Sequence, residues 1–154
     1  MSSTPRPSTQ ELTQLAAEHQ ELVRAAAAAR GRALARYSGY QVSAAVRADG
    51  TVVPGCNVEI SSYGLTMCAE RVALFAAIAR GLHRVEAIAV VGPGLGQQPT
   101  PPCGAFRQVL WDLAGDVPVL LASPAGKVQI WSASALFPAP FDPQHLAPPG
   151  GVTE

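Results

Sequence analysis

Two stretches decide the fold: YQVSAAVRADGTVVPGCNVE (Tyr40–Glu59) and, a short loop later, MCAERVALFAAIARG (Met67–Gly81). In the first, β-rich runs from Tyr40 to Ala48 and from Thr51 to Val58 flank Asp49-Gly50, a pair suited to the positive φ angles of a tight hairpin turn. An antiparallel pair of strands is expected. In the second, Val72, Phe75, Ala76 and Ala79 fall on one face of a helix running from Cys68 to Arg80, with Gly81 as its C-terminal stop.

Upstream, Ser8 and Glu11 have capping-box spacing, and Leu12, Leu15, Leu22, Val23 and Ala26 recur at helical intervals. One long first helix is expected, ending near Gly31 or Arg36. Downstream, Glu86 to Val91 reads as a short buried strand. Gly92 to Pro102 is too rich in Gly and Pro for a regular element and reads as a functional loop. Cys103 to Leu113 is helical by period, and Val117 to Ala122 and Lys127 to Trp131 are strands split by Pro124-Ala125-Gly126. Five prolines lie between Pro138 and Glu154, so the tail is expected to be largely extended. The order of elements predicts an α/β fold, a mixed sheet with helices on its faces. The 154 residues form one domain with an N-terminal helical extension and a Pro-rich C-terminal tail.

Eleven basic residues balance eleven acidic ones. The chain thus lacks the basic excess with which nucleic-acid-binding proteins neutralise phosphates. No stretch reaches the roughly 18 apolar residues needed to span a bilayer, so no membrane partner is expected. Met1 to Gln10 has no apolar signal region. With three cysteines, Cys56, Cys68 and Cys103, a cytoplasmic location with reduced thiols is expected.

Cys68-Ala69-Glu70 and Pro102-Cys103-Gly104 each open a predicted helix. A thiol at a helix N-terminus meets the positive end of the dipole, which favours the thiolate, and two such thiolates could share a metal. Glu70 would then be placed to move a proton at whatever the metal activates, the two parts needed for metal-assisted hydrolysis. Taken alone, Glu70 could equally be a carboxylate complementing the dipole. Cys56 reads as a buried strand residue, and Asn57 and Glu59 as a solvated strand end. Phe137, Phe141, Tyr37 and Tyr40 read as core aromatics, and His83 as a partner of the last carbonyls of its helix.

These motifs resemble the cytidine deaminase family, of which blasticidin S deaminases are close relatives. The resemblance runs from about Tyr37 to Phe141. Tyr37-Ser38-Gly39-Tyr40-Gln41-Val42-Ser43-Ala44-Ala45 is similar to the family's first strand. Gly55-Cys56-Asn57-Val58-Glu59 is similar to its Gly-x-Asn-x-Glu segment, and Cys68-Ala69-Glu70-Arg71 to its catalytic segment. Leu136-Phe137-Pro138-Ala139-Pro140-Phe141 is similar to its C-terminal Leu-Leu-Pro-x-x-Phe.

The resemblance implies a three-layer α-β-α domain with a five-stranded mixed sheet, assembled as a homotetramer. It also implies Zn2+ held by Cys68 and Cys103, and hydrolytic deamination of cytidine or 2′-deoxycytidine to uridine by metal-bound hydroxide. In that scheme Glu70 shuttles the proton and Arg71 partly neutralises the thiolates. Tyr40, Asn57, Glu59 and Ala69 touch the pyrimidine nucleoside, and Phe141 reaches a neighbouring subunit's site.

The chain departs from the family where Pro-Cys-x-x-Cys is expected: Pro102-Cys103-Gly104-Ala105-Phe106 puts Phe106 at the third ligand position. One helical turn separates 103 from 106, so the ring is expected to stand where a thiolate would complete the tetrahedron. Several readings stay open. A two-thiolate site could still hold zinc, the chain could be a metal-poor nucleoside-binding relative, or Phe106 could be incidental in a working deaminase. N4-substituted cytidines or a blasticidin-type nucleoside could also be the substrate.

Overall fold

The computed structural model describes residues 6–96 and 98–146. Within them lie strands β1 Gln10–Glu11, β2 Ser43–Ala48, β3 Thr51–Cys56, β4 Val85–Val91, β5 Pro118–Ala122 and β6 Lys127–Ser132. The helices are α1 Ala17–Ala29, α2 Ala69–Ala79, α3 Gly104–Ala114 and the single-turn α4 Ala133–Leu136. The strands form one sheet in the order β1-β6-β5-β4-β2-β3. β4 and β5 are parallel, and the other neighbouring pairs are antiparallel. The five expected strands are present, and the two-residue β1 makes a sixth.

Side chains alternate across a strand, so the central strands feed two cores. Ala44 and Val46 of β2, Ile88 and Val90 of β4, and Val119 and Leu121 of β5 join residues of α2 and α3 in one core. Ala45, Ala87, Ala89, Val91, Leu120 and Ala122 join Leu22, Val23 and Ala26 of α1 in the other. Burial on both faces explains why these strands read as nearly unbroken apolar runs. The result is the three-layer α-β-α arrangement.

The hairpin forms as expected. Asp49 and Gly50 sit at φ 46° and 71°, and β2 pairs with β3 from Ser43↔Cys56 to Ala48↔Thr51. Pro54 is tolerated because β3 is an edge strand, where a missing N–H costs no ladder bond.

Four expectations need correction. The first helix is not continuous. Gln10 and Glu11 pair with Val128 and Lys127 of β6, Leu12 N–H donates to Gly126 O at 2.9 Å, and a 3-10 turn over Leu12–Gln14 precedes α1. The capping box lies between Glu11 and Gln14, not at Ser8. An open sheet edge at β6 and a Glu11–Lys127 ion pair hold this segment extended. The apolar residues from Leu12 to Ala26 nevertheless pack into one core.

The face assigned to α2 is also corrected. Ala69, Ala73, Leu74 and Ala77 are buried, whereas Phe75 is 40% exposed. The cause is the closeness of α2 to β3: a Cβ on Gly55 would sit 2.5 Å from Ala73 N and 2.7 Å from Ala69 O. Only alanines fit against a backbone that near, so the bulky aromatic turns outward.

His83 does not serve the helix end. Gly81 N–H and Leu82 N–H donate to Ile78 O and Ala77 O, while His83 N–H donates to Asp49 Oδ2 at 2.8 Å. Finally, the C-terminal region is less extended than expected. Ser132 caps α4 by accepting from Ala135 N–H at 3.1 Å, and Pro143–Leu146 form a 3-10 turn.

Replacing Gly55 with Ala should lower stability by about 1–3 kcal/mol, the usual cost of overpacking, because both clashing partners are backbone. A shift of the urea midpoint to lower concentration measures it; an unchanged midpoint would show that α2 can back away freely.

Candidate functional site

The N-termini of α2 and α3, the chain from Ser38 to Val42, the stretch after β3, and Thr100-Pro101 enclose a cavity of about 520 Å³. Its walls include Tyr40, Asn57, Glu59, Cys68, Ala69, Glu70, Arg71 and Cys103. The structure thus gathers residues from positions 38 to 103 at one end of the sheet. Cys68 and Cys103 are the N-cap residues of α2 and α3, which places their side chains at the helix tips.

Glu70 lies one residue inside the first turn of α2 and is 4% exposed. Burial raises its pKa above the usual carboxylate range, against the hydrogen bonds that stabilise the charged form. The expectation that the dipole would favour a Cys68 thiolate is not met. Burial, then the neighbouring Glu70 charge, push the Cys68 thiol up to about 11, although Arg71 opposes them. Arg71 Nε donates to Cys68 Sγ at 3.0 Å and its Nη2 to Thr66 O at 3.3 Å, which places the cation beside that sulfur. Desolvation by burial is the largest influence on this thiol.

Asn57 and Glu59 are not a solvated strand end; each is 8% exposed. Asn57 Oδ1 accepts from Val42 N–H and its Nδ2 donates to Tyr40 O, both at 2.9 Å. Glu59 Oε2 accepts from the Tyr37 and Ser38 amides at 2.9 and 3.2 Å, and Oε1 from the Ser38 hydroxyl. The pair therefore holds residues 37–42 against the cavity. Tyr40 is 45% exposed rather than core, and its hydroxyl lies 3.1 Å from Thr100 Oγ1.

Sequence reasoning missed Ser38, Tyr63, Thr66 and Thr100 as wall residues. Thr100 had one available signal: it lies in the Gly- and Pro-rich loop already singled out. It accepts from Gly94 N–H at 2.9 Å and packs so near Gly92 that a Cβ there would lie 2.5 Å from its hydroxyl.

Phe141 is 54% exposed and lies outside the walls of this chain's own cavity. It stacks on His145, and Gln108 grips its backbone at 2.7 and 3.2 Å.

Phe106 is placed differently from the expectation. Its ring is fully buried in the core that holds Ala69, Ala73, Val90 and Leu110, and it does not line the cavity. Burying a phenyl ring is favourable by roughly 1.5–3 kcal/mol, which directs it inward. Among the described residues, no three His, Cys, Asp or Glu side chains gather so as to hold a metal ion. Two thiols without a third donor do not fit the tetrahedral zinc site, which takes at least three protein ligands.

Layer order and helix-tip thiols together define a class: a deaminase-type three-layer α/β domain. Residues 16–120 match the family model for the cytidine and deoxycytidylate deaminase zinc-binding region. A cytidine deaminase of Halalkalibacterium halodurans is 44% identical over 131 residues, covering 84% of this chain and 98% of that protein. One from Sporosarcina psychrophila is 38% identical over 130 residues, covering 83% and 94%. The crystal structure of cytidine deaminase from Burkholderia pseudomallei superposes with a TM-score of 0.76 at 48% identity, covering 80% of this chain and 98% of that one. The chain belongs to the cytidine deaminase family, and cytidine-deaminase-type chemistry is the general class to which its fold is adapted. No helix among the described residues is long and apolar enough to cross a membrane.

Glu59 gives a pH dependence. The Ser38 hydroxyl, then the Tyr37 amide, hold its carboxyl below the ordinary value of 4.5. A depressed carboxylate contributes stability that is complete above pH 4.5 and fades as pH falls through the lower folded value. The native chain should therefore exceed Glu59→Gln in stability at neutral pH, with the gap narrowing below pH 4.5. Urea midpoints of both proteins across a pH series check this; a gap independent of pH would remove the carboxylate from the account.

Proposed function

We propose that this chain is a metal-poor member of its family that binds a pyrimidine nucleoside, cytidine or 2′-deoxycytidine, and deaminates it slowly or not at all. The observation that carries the reading is Phe106: the third donor position is a phenyl ring sunk in the core, leaving Cys68 and Cys103 alone at the cavity. Structural zinc in small peptides contributes roughly 10–16 kcal/mol, a figure that falls when a ligand is removed. Reversing the exchange has a cost in the core, since emptying a buried Phe site costs about 3–5 kcal/mol on truncation to Ala.

Nucleoside binding is supported by the acceptor count at Glu59. An ionised carboxylate offers about four lone-pair sites, and three are used by Tyr37 and Ser38. One site on Oε1 is left for a ribose hydroxyl. Asn57 Nδ2 keeps one N–H after its bond to Tyr40 O. Groups committed in this way reject a free base, because the base would leave them unpaired. Ala69 and Tyr40 would face the pyrimidine, and Glu70 and Arg71 its amino end. The exposed Phe141 suits a contact with a second copy in a homotetramer. Three free thiols suit a reducing cytoplasm.

Elemental analysis, calorimetric titration with cytidine and uridine production, each on native chain and Phe106→Cys, test the reading. The native chain should bind cytidine while carrying well under one zinc per chain. Loss of an outer-shell partner alone costs roughly 10–100-fold, so uridine production should be at least about 100-fold slower than in the zinc-loaded Phe106→Cys variant. Without zinc, that variant should be less stable than the native chain. One zinc per native chain with rapid turnover would overturn the reading.

A further inference from the structure

The geometry points to Cys68 and Cys103 as a redox-active dithiol that closes to an intrachain disulfide when a hydroperoxide enters the nucleoside cavity. The inference rests on the reading above, that no zinc ion holds the pair. Both thiols line the same cavity, each at the first turn of a helix, and α2 and α3 pack directly on one another. Phe106, one turn beyond Cys103, shares a core with Ala69, next to Cys68, and Cys68 packs against that core. The tips of α2 and α3 thus face one cavity and rest on one core. Phe106 is buried in the core, and among the described residues no third His, Cys, Asp or Glu gathers with the two thiols to hold a metal ion.

All three cysteines are free, and they differ in access: Cys103 is exposed, Cys68 is half-buried, and Cys56 is not part of the cavity wall. Susceptibility to peroxide follows thiolate character and exposure, and Cys103, the exposed thiol of the pair, is the first to react. Its sulfur takes the distal oxygen of the hydroperoxide, giving Cys103 sulfenic acid and an alcohol, or water from hydrogen peroxide. Cys68 sulfur then attacks the Cys103 sulfur. The S–O bond breaks as the S–S bond forms, and the hydroxyl leaves with the Cys68 proton as water. Two thiols are oxidised and one peroxide is reduced. The bridge would tie the tips of α2 and α3 across the end of the cavity where the pyrimidine is expected to lie.

The test uses the full chain, reduced, freed of reductant, assayed for zinc, and exposed to hydrogen peroxide. Peptide mapping without reduction should show a Cys68–Cys103 link, and Cys56→Ser should form it equally well. Cys68→Ser should stop at Cys103 sulfenic acid, trapped by a 1,3-dione. Cytidine affinity of the oxidised chain should fall at least about tenfold, or about 1.4 kcal/mol, and return on adding dithiothreitol. A zinc-free chain that instead links through Cys56, proceeds to sulfinic acid, or keeps its affinity would overturn the dithiol while leaving nucleoside binding intact. One zinc per chain together with resistance to peroxide would overturn both.

Discussion

Much of this structure depends on the near contact between the backbone of α2 and β3 at Gly55. With 2.5 Å between a hypothetical Cβ and Ala73 N, the helix is seated as deep as a polypeptide allows. That depth selects Ala69, Ala73 and Ala77 for the sheet-facing side. It also sets the height of the helix tip, and with it Cys68 and Glu70. A looser fit would move both out of register with Cys103, because the two helix tips form one side of the cavity wall.

Phe106 links core stability to the chemistry of the site. A cysteine at this place could turn its sulfur toward the cavity, whereas a phenyl ring is better accommodated among Ala69, Val90 and Leu110. The same helix turn therefore serves either packing or coordination. In this chain packing prevails, and the remaining thiols stand with Arg71 and Glu70 in a half-buried setting where the protonated Cys68 is favoured. The entrance side behaves differently. Asn57 and Glu59 spend most of their hydrogen-bonding capacity on the backbone of residues 37–42, so the wall carrying Tyr40 is held by buried polar bonds.

Local chemistry made part of this architecture legible from residues alone. Asp49-Gly50 is a turn in almost any context, Gly81 ends a helix through its positive φ, and the apolar run of β4 announces burial. The helix-capping positions of Cys68 and Cys103 could likewise be read from short-range signals, as could the spacing that set Phe106 one turn from Cys103. The family resemblance supplied the grouping of Asn57, Glu59 and Glu70 in one site, which spacing alone does not give.

Other features were settled only by contacts between segments distant in sequence. Gln10 and Glu11 form a strand because β6 offers an unpaired edge 118 and 116 positions away, at Gln10↔Val128 and Glu11↔Lys127. Phe75 faces outward because Gly55 brings a backbone too close for it. Phe106 turns into the core, and the Cys68 thiol rises instead of falling in pKa, because each responds to surroundings assembled from several elements. Sequence periodicity specifies that a helix has an apolar side; which side lies deepest, and what a buried sulfur or ring meets there, is decided by the neighbours that tertiary packing supplies.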